Sequence, residues 1–184
     1  MTKLILFNFI TVDGFFETNN HELFWHNLDN EFHEFSRQQL NDADTFVFGR
    51  KTYELMKHHW TSKEAMENDP IVAGVLNSYT KIVFSKSLDE VTWTNSVLFN
   101  NNIEIVINNL KQKTRKDILL LGSANLSSTL QALNLIDEYR IMINPILLGQ
   151  GIPLFKPTDK RQKLELIKSK VFKCGNILLY YKPK

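Results

Sequence analysis

Four short runs constrain this chain more than anything else in it: LILFNFI (Leu4 to Ile10), DTFVF (Asp44 to Phe48), KIVFS (Lys81 to Ser85) and DILLL (Asp117 to Leu121). They are apolar nearly throughout instead of alternating, the pattern of strands covered on both faces. Helical patterns separate them. Leu23 to Leu40 reads as a helix with Leu28, Phe32, Phe35 and Gln39 along one stripe, a second begins at Arg50, a third spans Met66 to Ser78 and a fourth Ile103 to Lys113. SVLF (Ser96 to Phe99) is a short extra strand. Beyond Gly122, Ser123 or Asn125 can cap a helix whose inner edge is Leu126, Leu130 and Leu133. EYRIMINPILLGQG then reads as a long strand running into a glycine-rich loop, and KLELIKSKVF and NILLYYK as a closing hairpin around KCG. The expected fold is one α/β domain: a mostly parallel central sheet with an antiparallel C-terminal edge hairpin and helices on both faces.

At 184 residues, 43% hydrophobic and 23% charged, the chain can bury one ordinary core. Its net charge of +2 excludes a sequence-independent polyanion binder, so nucleic acid is not an expected partner. Lys111, Lys113, Arg115 and Lys116 read as a solvated helix end. No apolar run reaches the eighteen or so residues of a membrane span. No small-residue cleavage site follows the apolar start before Asp13. The lone Cys174 has no internal disulfide partner, and a reducing cytoplasm is the expected compartment.

The seven glycines carry the functional signal, because most of them end strands: Gly14, Gly49, Gly122, and Gly149 with Gly151. Helix starts follow Gly49 and Gly122. A helix start offers unpaired N–H groups and the positive end of the dipole, and a glycine beside it lets a phosphate approach the backbone. Two such turns on different strands can clasp the two halves of a dinucleotide, and Arg50 adds a planar fork for a terminal phosphate. Either turn alone is an ordinary strand-to-helix connection. Neither completes a P-loop or a dinucleotide fingerprint, so only the pair carries weight.

The segments FGRKTYE (Phe48 to Glu54), KIVFSKSL and DILLLGSANLSSTLQALNLIDEYRIMINPILLGQGIPLF resemble the dihydrofolate reductase superfamily. Their order, with TVDGFFE near the start, is most similar to the branch of the C-terminal reductase domain of bacterial riboflavin biosynthesis and its stand-alone relatives. The resemblance runs from Leu4 to Tyr181. It implies an NADPH-dependent reductase in which Gly49, Arg50, Lys51 and Thr52 meet the cofactor, with Arg50 near the 2′-phosphate. Ser85 and Lys86 would lie by the adenosine end, and Gly122, Ser123, Ala124, Asn125 and Leu126 would cradle the pyrophosphate. The implied chemistry is hydride transfer to a small heterocycle or ribosyl-amine, a pterin or a riboflavin-precursor pyrimidine such as 5-amino-6-(5-phosphoribosylamino)uracil. A homodimer is implied as well. Two departures stand out. Ser123 follows Gly122 where the family pairs glycines, and no first-helix carboxylate aligns, Asp29, Glu31 and Glu34 reading as a solvated face.

The remaining candidates keep two readings each. Asp13 is a turn residue or a contact to substrate and nicotinamide. Phe15, Phe16 and Trp25 stack on a flat ligand or pack in the core. Glu138 faces substrate, or takes a helix-end or turn role with Asp137. Gly149 rims a substrate pocket or bends the chain before Pro153, and Trp60 reads as packing. Asp13 and Glu138 are the candidate catalytic groups. His26, Asp29 and His33 share a helical face turned away from the apolar stripe with no further ligand, and His58 and His59 point apart, so no metal is expected. Two classes compete with an enzyme: a nucleotide binder of this fold without turnover, and an interaction module whose helix starts only cap helices.

Overall fold

The apolar runs become the middle of one sheet. The structure, a computed structural model, describes residues 2–159 and 161–184. In chain order it comprises β1 (Leu4–Thr11), β2 (Phe15–Glu17), α1 (Asn30–Asn41), β3 (Ala43–Gly49), α2 (Arg50–Trp60), α3 (Lys63–Asn68), α4 (Pro70–Ser78), β4 (Thr80–Phe84) and β5 (Ser96–Phe99). Then follow α5 (Ile103–Lys113), β6 (Asp117–Leu121), α6 (Ala124–Ala132), β7 (Glu138–Asn144), β8 (Ile152–Pro153), β9 (Leu164–Val171) and β10 (Ile177–Pro183). Eight strands form the main sheet in the order β5-β4-β3-β6-β1-β7-β10-β9, and β2 pairs with β8 in a separate ribbon. β5 to β7 are mutually parallel, with Leu6 opposite both Leu120 and Tyr139, while β10 and β9 close the edge antiparallel.

Continuous apolar strands bury both faces, as a parallel sheet requires. On one face Leu4, Leu6, Val47, Ile118 and Leu120 pack under α5 and α6 through Ile107, Leu126 and Leu130. On the other, Ile5, Phe46, Phe48 and Leu119 pack under α1, α2 and α4 through Leu40, Tyr53, Val72 and Leu76. Phe7, Phe32, Phe35 and Met142 extend that layer toward Leu178 and Tyr180 of β10. No helix among the described residues is long and apolar enough to cross a membrane.

Three expected helices change. The first starts at Asn30, not Leu23, because Asp29 is its N-cap and accepts from the Phe32 amide. Leu28 is consequently outside it and exposed, while Phe32, Phe35 and Gln39 are buried. Asp29 and Glu31 are not a solvated face, since they accept from the Cys174 and Lys173 amides and pin α1 to the hairpin turn. His26 precedes the helix, so it shares no helical face with His33. Among the described residues no three His, Cys, Asp or Glu side chains form a metal-binding group. Pro70 splits the third expected helix into α3 and α4, with Asp69 capping the second piece. Leu133 lies just past the end of α6 and is exposed instead of forming its inner edge. The glycine-rich loop is also cut short of the expected strand, β7 ending at Asn144 before Pro145.

Glu138 opens β7 opposite Ile5, at the end of the sheet away from the strand-end turns. It is 5% exposed, 2.9 Å from Lys3 Nζ and 2.8 Å from Arg140 Nε. Asp137 beside it pairs with Lys111 and accepts from the Leu4 amide. Neither of its two readings describes this place: Glu138 is a strand residue, at neither a helix end nor a turn, and its carboxylate is taken up by Lys3 and Arg140. Burial raises its carboxyl, but the Lys3 and Arg140 hydrogen bonds outweigh that and hold it below its ordinary value of 4.5. A depressed folded-state value means the contribution is present above about 4.5 and disappears as pH falls through the folded value. Glu138→Ala is expected to cost about 2–3 kcal/mol in urea unfolding at neutral pH. The gap from wild type is expected to narrow as the titration moves below that pH.

Candidate functional site

β3 and β6 are parallel neighbours, with Val47 opposite Leu120, so their C-terminal turns emerge side by side. The turns interlock. A Cβ on Gly49 would overlap the Ser123 hydroxyl, and one on Gly122 would sit 2.8 Å from Thr52 Cγ2. Each glycine thus receives a side chain from the opposite turn, and Gly122 also needs its freedom at φ +65°.

Side-chain capping divides the helices into two sets. Asp29, Ser62 and Asp69 cap α1, α3 and α4. Behind α2, α5 and α6 stand Gly49, Asn102 and Ser123, and none of them makes a side-chain cap. All three uncapped starts open on one cavity of about 630 Å³. Their first-turn amides therefore stay available there, with the positive ends of three helix dipoles. Arg50, Lys51, Lys86 and Lys156 line the cavity, against Glu17 as the one lining carboxylate among the described residues. Phe84 and Phe99, ring centres 6.0 Å apart, form an apolar wall with Phe16, Leu126 and Ile152. Thr52, Ala124 and Asn125 lie at the helix starts, and Ser85 lines the rim, where its Oγ accepts from the Ser87 and Leu88 amides. Such a space suits an elongated anion with a flat apolar end. A larger recess of about 1380 Å³ outside α6 shares Asn125, Thr129 and Lys156 with it, but none of Gly49, Arg50, Thr52 and Ser123 lines that recess.

A strap over the cavity has no counterpart in the sequence reading. Pairing of β2 with β8 carries Phe16 and Glu17 to the cavity wall, and the chain then turns through His21 at φ +64°. His21 Nδ1 is 2.9 Å from Glu17 Oε1, and its Nε2 is 2.9 Å from Lys51 Nζ. An ammonium can only donate, so Nε2 accepts and Nδ1 gives its hydrogen to Glu17. The imidazole joins the strap to the first turn of α2.

Six expected residues lie outside the cavity lining, one of them Gly122, which sits behind it against Thr52. Besides Glu138, Asp13 is exposed and serves as a clamp: it accepts from Thr11 Oγ1 at 2.5 Å and from the Gly149 and Leu148 amides at 2.8 and 3.3 Å. The Thr11 hydroxyl first, and those amides after it, hold its carboxyl below the ordinary value, so it is ionised at neutral pH and has no proton to give. Gly149 is the other end of that clamp. Phe15 packs against Gly151, whose Cβ would meet its ring at 3.1 Å. Trp25 is 5% exposed and stands edge-on to His26, which stacks on Phe9 at 4.3 Å and is pushed by burial down to about 4. The core reading holds for Trp25. Phe16, not Phe15, reaches the cavity.

Comparison with known proteins gives this geometry its context. Residues 2–178 match the RibD C-terminal domain model. The uncharacterized protein YyaP of Bacillus subtilis is 33% identical over 181 residues, covering 97% of this chain and 94% of that protein. Among solved structures, a Shewanella sp. PV-4 protein assigned by name to riboflavin biosynthesis superposes with a TM-score of 0.78 at 23% identity, covering 100% of this chain and 99% of that one. A pyrimidine reductase-like protein of Corynebacterium diphtheriae gives 0.71 at 14% identity, with 100% and 92% covered. These likenesses identify the α/β architecture as dihydrofolate reductase-like, and the chain belongs to the RibD C-terminal domain family.

Proposed function

We propose that the chain is an NADPH-dependent reductase acting on a small heterocyclic or ribosyl-amine substrate. The observation that carries this reading is the convergence of three uncapped helix starts and four cationic side chains on one cavity with an apolar wall. The residues present fit a dinucleotide phosphate. Gly49 and Gly122 leave room for the close approach of two turns, and the amides behind Gly49 and Ser123 can hold the pyrophosphate from both sides. Arg50, exposed at the cavity wall, can grip a ribose phosphate, and Phe84 and Phe99 suit a flat base. Bound there, NADPH supplies a hydride to the substrate. The RibD C-terminal family and the pyrimidine reductase-like neighbour support a riboflavin-precursor pyrimidine as the substrate class.

One observation favours a second reading, nucleotide binding without turnover. Asp13 and Glu138 are both held ionised, and Glu17, the carboxylate on the cavity wall, is engaged by His21. A spectrophotometric assay separates the two: both readings expect NADPH to raise the melting temperature, and only the reductase consumes it when substrate is added. Arg50→Ala is expected to weaken NADPH about 10- to 100-fold in a fluorescence titration and NADH less than about threefold. Equal losses would remove this arginine from recognition of the 2′-phosphate. Gly122→Ala is expected to destabilise the fold by about 1–3 kcal/mol and to lower nucleotide affinity, because its side chain meets Thr52 at a left-handed φ. Ser123→Gly, at the neighbouring left-handed position, is expected to leave stability within about 1 kcal/mol of wild type.

A further inference from the structure

The ring of His21 stands between a carboxylate and an ammonium on the cavity wall. Glu17 Oε1 lies 2.9 Å from its Nδ1, and Lys51 Nζ lies 2.9 Å from its Nε2. Glu17 and Lys51 thus each find a partner without meeting. The turn that presents the ring is closed on itself. The His21 amide donates to the Thr18 carbonyl at 2.9 Å, the Glu22 amide to Thr18 Oγ1 at 3.0 Å, and the Thr18 amide to the Glu22 carbonyl at 3.3 Å. Within this frame the left-handed position, φ +64°, falls on His21 and not on Asn19 or Asn20 just before it. Glycine or asparagine would hold that backbone at less cost. Closing the turn therefore does not account for an imidazole there.

Its surroundings do. A carboxylate weakens an anion cavity twice over, by repelling the guest and by pairing with a cation that would otherwise meet it. Without the ring, the space between the Glu17 carboxylate and the Lys51 ammonium is open, and a direct ion pair becomes available to them. With the ring in place, Nδ1 gives its hydrogen to Glu17 and Nε2 holds Lys51 through a single hydrogen bond. A phosphate, fully charged, outcompetes an imidazole nitrogen for an ammonium far more readily than it outcompetes a carboxylate. Lys51 is exposed in the first turn of α2, beside Arg50, where such an exchange needs no movement of the backbone.

We propose that His21 is a positioning residue that acts through Lys51: its ring keeps the ammonium off Glu17 and leaves it on the cavity wall for a phosphate of the bound nucleotide. This role rests on the nucleotide-binding reading of the cavity. Fluorescence titration with NADPH, with melting curves recorded in its absence, tests it. His21→Gly removes the ring and suits the left-handed backbone, so it is expected to keep the wild-type melting temperature and to weaken NADPH about five- to tenfold. His21→Asn also tolerates that backbone but is too short to reach both partners, and is expected to lose as much. Glu17→Gln is expected to change affinity less than about threefold when His21 is present, and to bring His21→Gly back to within about twofold of wild type. That rescue separates the role from a strap that has merely loosened. An equal gain from Glu17→Gln in both backgrounds would overturn the proposal. NADPH binding as tight in His21→Gly as in wild type would also overturn it, and would leave the nucleotide reading standing. A wild type that binds no NADPH would remove that reading and this role together.

Discussion

The site depends on a single packing fact: the turns after β3 and β6 occupy each other's space. Strands in a sheet lie about 4.8 Å apart, so turns leaving the same end of two neighbours cannot both carry side chains inward. Here Gly49 yields to Ser123, and Gly122 yields to Thr52. The consequence reaches beyond sterics. With the turns interlocked, α2 and α6 begin within reach of one ligand, and their dipoles reinforce each other at one place. Sheet order makes this possible. β6 enters between β3 and β1 only after the chain has built outward through β4 and β5, and α5, which precedes β6, brings a third helix start to the same cavity.

Strands were legible because a parallel sheet covered on both faces writes itself as unbroken apolar runs. Helix starts were legible where a glycine ended a strand, as at Arg50. They were misread where apolar residues continued through a loop. Leu23, Trp25 and Leu28 extend the apolar pattern of α1 backwards, yet Trp25 is buried as part of a loop and the helix waits for its Asp29 cap. The signal for the break at Pro70 was present in the sequence as Asp69-Pro70, a cap followed by the one residue whose missing N–H costs nothing at that position.

Within the cavity, legibility followed sequence distance. The segments at 49–52, 85–86 and 123–126 each announce themselves by a local pattern, and the fold brings them together. Phe16, Glu17, His21, Ile152 and Lys156 carry no such pattern. They arrive because a two-residue strand at Ile152 pairs with Phe15 to Glu17, a long-range event that no local propensity encodes. Asp13 shows the same limit of local pattern. A lone aspartate before glycine looks the same whether its carboxylate meets a ligand or, as here, the amides of a loop 135 residues away.

Local and global preferences agree over most of this chain, and the places where they part are concentrated. Five non-glycine residues among those described adopt a left-handed backbone: His21, Asn95, Asn102, Ser123 and Asn134. Asparagine tolerates that region, and three of the five are asparagines. The other two, His21 and Ser123, both line the cavity. Each carries a strain of about 1–2 kcal/mol that packing elsewhere must offset. Ser123 gains no helix cap from it. The three uncapped helix starts add a second departure from local economy at the same spot. A core under no demand but stability would have replaced Ser123 by glycine and capped α2 and α6 as α1, α3 and α4 are capped. Independent violations of local preference that meet at one cavity are what a site kept for a ligand leaves in a structure.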